Sequence, residues 1–182
     1  MTGLERELAL WHGKSTDAIL HIYQRYYRDA DFCAKLLQSL PSPCNQQAAS
    51  WLLKHYCEQQ ASLSPSELDT LCLHLPRLAH WQSQLHVLQL LPGHSFSHTQ
   101  RQQLEPFVRT AIGSENKFVR AWAYNALHEL ALQFKDLRRD ALDTITCAQR
   151  DEAPSVKARL RHLKTAATIS GKAAGTTHGK TP

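Results

Sequence analysis

Several groups of residues in this chain have types that suit chemistry, and each fails on spacing or context. Near the C-terminal end, Gly175-Thr-Thr-His-Gly-Lys180-Thr181 has the look of a phosphate-binding loop. That loop needs a glycine five positions before the second one, and Ala174 stands there. It also needs a strand before it and a helix after it, whose N-terminus meets the phosphate. Neither pattern is present, so nucleotide binding is not expected.

Metal and thiol chemistry fare no better. The chain has 11 histidines, but His74, His80 and His86 recur every six residues, which turns successive members to different helix faces. His94 and His98 flank Ser-Phe-Ser after Pro-Gly, and no H-E-x-x-H occurs. The 5 cysteines are odd in number and form no C-x-x-C pair, which fits buried thiols in a reducing cytoplasm. No cofactor, metal or catalytic set is therefore expected.

The elements that position these residues read as helices. Gly13, Pro41-Ser-Pro43, Pro76, Pro92-Gly93 and Gly113 punctuate the chain, and between them no run of alternating β-branched residues appears. Helices are expected over residues 4–11, 15–28, 30–40, 45–60, 68–75, 78–91, 99–112, 115–134, 135–150 and 154–164. Ser15 or Thr16 can cap the second, and Ser64-Pro65-Ser-Glu67 reads as a helix start. Gly113 is expected to stop its helix in the left-handed conformation, and Ser114 to cap the next.

Composition supports this reading. Hydrophobic residues make up 42% and charged residues 20%, as in a folded water-exposed domain. No apolar run reaches the 18 or so residues of a spanning helix, and residues 1–8 carry mixed charge rather than a leader pattern. The net charge of +5 is uneven: residues 1–152 hold 15 Lys/Arg against 16 Asp/Glu, and residues 153–182 hold six basic residues and no acid. Thr165 to Pro182 lacks periodicity and is expected to be a flexible basic tail behind one domain over residues 1–164.

Two segments carry a family signal. Ser114-Glu-Asn-Lys-Phe-Val-Arg-Ala-Trp-Ala-Tyr-Asn-Ala-Leu-His-Glu-Leu and Asp151-Glu-Ala-Pro-Ser-Val-Lys-Ala-Arg-Leu-Arg-His-Leu each pair a polar turn with Val-Arg or Val-Lys and then apolar residues. Val119 and Val156 lie 37 residues apart, and Leu85 and Leu88 sit 38 before Ala123 and Ala126. The chain resembles the HEAT-repeat family, whose repeats are hairpins of two helices. The resemblance implies an all-α fold, a right-handed α-solenoid of about four helical hairpins. It also implies that Arg120 and Lys157 are structural, with Asp151 a possible partner in the turn. Certain hydroxylases of this fold use several His-Glu pairs; only His128-Glu129 occurs here, so that chemistry is not expected.

On the helix over residues 115–134, Val119, Ala123, Ala126, Leu127 and Leu130 take the core. Tyr124, Asn125 and His128 then share a polar face, which the resemblance places on the concave surface, with Arg161 at the position of Tyr124 one repeat later. These four residues are the candidate binding surface. Trp51, Trp81 and Trp122 fall near equivalent places and are expected to pack between repeats. The leading functional expectation is a cytoplasmic, monomeric adaptor or scaffold that binds a protein or peptide. An alternative is nucleic-acid binding through the basic patch Lys157, Arg159, Arg161 and Lys164. A further alternative is an enzyme of this fold, such as a metal hydroxylase or a lyase.

Overall fold

A computed structural model describes residues 3–59 and 63–163, in which every regular element is helical. The α-helices are α1 (Gly3–Leu10), α2 (Thr16–Tyr26), α3 (Phe32–Ser39), α4 (Pro43–Gln59), α5 (Pro65–His74), α6 (Trp81–Leu90), α7 (His98–Ile112), α8 (Lys117–Gln133), α9 (Arg138–Asp151) and α10 (Pro154–Leu160). Short 3-10 turns at Leu75–Arg77 and Lys135–Leu137 follow α5 and precede α9. The expected tail, Lys164 and the Gly175–Thr181 run lie outside the described residues.

Local chemistry explains the boundaries. Ser15 accepts from the Ala18 N–H and starts α2. Ser64 with Glu67, and Ser97 with Gln100, form reciprocal capping boxes that satisfy otherwise orphaned amides at the start of α5 and α7. The cap of α8 is Asn116 rather than Ser114: its side chain accepts from the Phe118 and Val119 amides. Proline in the first turn of α5 and α10 sits where no helical N–H is needed. Gly113 does not adopt the left-handed conformation expected of it, because its φ is −83° and its N–H closes a tight turn onto Thr110. Among the described residues the left-handed glycines are Gly13 and Gly93, at φ 75° and 86°.

Helices pack in two rows. In one, α1, α4, α6, α8 and α10 each lie against the next; in the other, α3 packs on α5 and α5 on α7. The rows meet where α3 packs on α4, α7 on α8, and α9 on both α8 and α10. One apolar cluster runs from Leu4 to Ala141, and a second joins Tyr124, Ile145, Ala148, Val156 and Leu160 beneath α8, α9 and α10.

Burial shows a register that repeats along the first row. Asn45, Ser83, Val119 and Val156 are buried in the first turns of α4, α6, α8 and α10, at intervals of 38, 36 and 37 residues. Ala49, Val87, Ala123 and Leu160, one turn later, are all fully buried. This shifts the earliest copy expected from sequence: Val87 and Leu90, not Leu85 and Leu88, match Ala123 and Ala126. Asn45 and Ser83 stand where the later helices carry valine, and Asn45 Oδ1 and Ser83 Oγ have no partner among the described residues.

The residue after each of these positions ties its helix to the turn before it. Gln46 donates to Leu40 O at 2.8 Å, Gln84 to Leu78 O at 2.9 Å, and Arg120 to Ser114 O at 2.9 Å, each reaching six residues back. Lys157 donates to Arg150 O, seven back, at 2.5 Å. Gln46 also reaches forward, donating to Arg77 O and accepting from the Ala79 and His80 amides at 2.9–3.0 Å. Its four bonds satisfy a fully buried amide and link one turn to the next.

Candidate functional site

The polar face expected on α8 is not an open surface. Tyr124, Asn125 and His128 are only 6%, 8% and 6% exposed. The reason is that α8 packs against α6, α7, α9 and α10. Tyr124 is part of the second apolar cluster, and its hydroxyl donates to Glu152 Oε1 at 3.1 Å. Burial, reinforced by the Glu152 carboxylate, pushes the Tyr124 phenol up to about 12. Of the four residues expected on this surface, Arg161 alone is exposed.

Arg120 is structural, as expected, but its partner is Glu152 and not Asp151. Its Nε and Nη2 donate to the two carboxylate oxygens at 2.8 and 3.0 Å. Nη1 holds Ser114 O and Glu115 O at 2.9 and 3.0 Å. Glu152 is thus fixed by a two-pronged guanidinium, the Tyr124 hydroxyl and the Ala153 amide. The Arg120 hydrogen bonds hold its carboxyl below the usual carboxylate range.

The basic patch divides. Arg159 lies over the Trp122 ring with its guanidinium 3.4 Å from the centroid, and burial lowers its pKa. Lys157 is half-buried and donates one N–H to Arg150 O, while Arg161 is exposed. Among the described residues none of the three makes an ion pair with a carboxylate; Lys164 lies outside those residues. The three expected tryptophans form no ladder. Trp51 pairs with Trp11 at 6.4 Å and with the His55 ring at 5.1 Å, and Trp122 lies beneath Arg159. Trp81 opens α6 and is 42% exposed.

A contact that the sequence did not reveal joins α4 to α6: Ser50 Oγ lies 3.0 Å from His86 Nδ1. The pairing has the atoms of a nucleophile and base, yet Ser50 is fully buried and also contacts Gln47 O at 3.1 Å. It is a packing contact. Burial, with Lys54 nearby, lowers the His86 pKa to about 4, so the ring is neutral. The interval of 36 residues is two short of the 38 that separate Asn45 from Ser83 on the same two helices, so spacing did not point to it. The Cys33, Cys57 and Cys72 thiols are all pushed up by burial, the last two to about 12, so they stay protonated and poorly nucleophilic. Among the described residues no three His, Cys, Asp or Glu side chains gather as a metal site, and no helix is long and apolar enough to cross a membrane.

Two surface features stand out against this plain background. Trp81 and Phe118, 42% and 53% exposed, begin the adjacent helices α6 and α8 at register positions one residue apart. Separately, a groove of about 480 Å³ opens between α1 and α2, lined by Leu10, Trp11, Ala18 and Ile22 with Lys14 and His21 beside them. It lies at the opposite end of the row from the candidate residues. No family model matches the chain, and comparison with curated proteins and with solved structures likewise finds no match.

Proposed function

We propose that this chain is a non-enzymatic protein-interaction module, a cytoplasmic adaptor or scaffold built as a short HEAT-like α-solenoid. The exposed pair Trp81 and Phe118 carries the reading. Large aromatic side chains left in water at the leading ends of two packed helices cost free energy that a partner covering them would recover. Aromatic anchors of this kind dominate the energetics of protein interfaces. The repeating burial register and the bonds from Gln46 and Arg120 to the following turns support the solenoid and supply a rigid frame for the anchors. The five free thiols suit a reducing compartment.

A second reading, nucleic-acid binding, draws on one observation: Lys157, Arg159 and Arg161 have no carboxylate partner among the described residues. Against it, few charges are available, and phosphate-driven affinity needs many.

The test is capture from native cells by immobilised full-length protein, with and without nuclease. A defined protein retained after nuclease supports the module. Loss of all retained material on nuclease treatment overturns it in favour of nucleic acid.

A further inference from the structure

We propose that the end of the array beyond α10 is a docking edge, where Lys157 and Arg161 receive an acidic helical turn of a partner protein. The proposal rests on the protein-interaction reading and locates a second contact for it.

The argument is one of register. Within the chain, Arg120, Ala121 and Tyr124 of α8 face the α9–α10 turn and the apolar cluster beneath α10. Arg120 and Tyr124 together hold Glu152, the last residue before the α10 turn, at 2.8–3.1 Å. Ala121 is buried in the apolar cluster beneath α10. Advancing each position by the 37 residues that separate Val119 from Val156 gives Lys157, Ala158 and Arg161. Lys157 makes the same backward bond to its own turn that Arg120 makes, donating to Arg150 O. Ala158 and Arg161, the counterparts of two buried residues, are exposed. The last helix therefore presents the same face that elsewhere binds the next repeat, with no next repeat against it among the described residues.

The chemistry of that face states what fits it. Where the internal interface offers a guanidinium and a phenol, the edge offers an ammonium and a guanidinium, two positive charges beside a small apolar residue. Neither side chain makes an ion pair with a carboxylate among the described residues. The nearby Glu152 is already taken by Arg120, and Arg159 is taken by Trp122. Residues 164–182 contain no Asp or Glu side chain to fill that place. The complement is a carboxylate at a helix start with an apolar turn behind it, the arrangement of Glu152 and Val156. Nucleic acid fits less well: two cations make a small phosphate footprint, and Arg159 already covers the one adjacent indole face.

The experiment uses full-length protein and a fluorescein-labelled amphipathic helical peptide of Glu, Leu and Ala, read by fluorescence anisotropy. Probes for comparison are the same peptide with Gln for Glu, one with Lys for Glu, and a single-stranded oligonucleotide of equal net charge. The proposal expects the Glu peptide to bind at least about tenfold more tightly than the Gln peptide. It expects the K157Q/R161Q variant to lose about tenfold or more, and K117Q, which alters an exposed cation at the start of α8, to lose nothing. The charge reversal K157E/R161E should transfer the preference to the Lys peptide, which a damaged fold cannot do. Equal binding of the Glu and Gln peptides, indifference to both double variants, or tighter binding of the oligonucleotide with the same dependence would each overturn it. A cellular partner lost by W81A/F118A but kept at full strength by K157Q/R161Q would leave the module standing and remove the edge.

Discussion

At the scale of single residues, the most informative side chain is Glu152. Its carboxyl is held below the usual range chiefly by Arg120, so the folded pKa lies below the unfolded one. The stability it contributes is present above the unfolded value of about 4.3 and is lost as pH falls through the folded value. Glu152→Gln should cost about 2 kcal/mol at pH 7, from an ion pair whose acidic member is 12% exposed, and the difference from wild type should shrink toward pH 3. Urea titrations across that range check it; a constant difference would contradict the assignment. His86 gives the opposite case. Its folded pKa of about 4 lies below the unfolded value, so the unfolded chain binds the proton first as pH falls. Stability should drop between about pH 6.5 and 4 by about 3 kcal/mol, and His86→Gln should remove most of that slope. Arg120 was legible in sequence as a structural residue, but its partner was not. Asp151 and Glu152 are adjacent in one turn, and only the folded path decides which meets the guanidinium. Tyr124, Asn125 and His128 misled for a related reason: polarity marks a solvent face only on a helix with one buried side, and α8 has several.

At the scale of elements, caps and prolines made most helix boundaries readable, and the departures are physical. Gly113 looked like a left-handed stop, yet a right-handed turn closes that helix, and a Cβ there would meet only Thr110 O at 3.5 Å. Gly13 does take a positive φ, and its Cβ would lie 2.5 Å from Gln47 Nε2. Gly13→Ala should therefore lower stability by about 1–2 kcal/mol, and Gly113→Ala should leave it unchanged or raise it slightly. Thermal melts of the two variants compare them directly; equal effects would contradict the conformations. The burial register was legible from Val119 and Val156 but faint earlier, because Asn45 and Ser83 stand where the later helices carry valine. Burial finds the register that residue type concealed.

For the whole molecule, net charge and helix content were readable, whereas the surface was not. The basic residues of the last helix looked like one patch. Folding assigns Arg159 to Trp122 and leaves Arg161 exposed at the end of the row, so the patch is smaller than its sequence. The tryptophans looked like packing, and Trp81 is instead 42% exposed at the start of α6. Two rows of helices with bonded turns make a frame whose exposed aromatics change little in stability when trimmed, but much in binding. That separation makes the central claim testable. The measurement is quantitative capture from native cells in the presence of nuclease, comparing wild type with W81A/F118A at matched thermal stability. The account predicts a defined protein partner retained by wild type and reduced at least about tenfold by the variant. Equal recovery of every retained protein by both forms would contradict it.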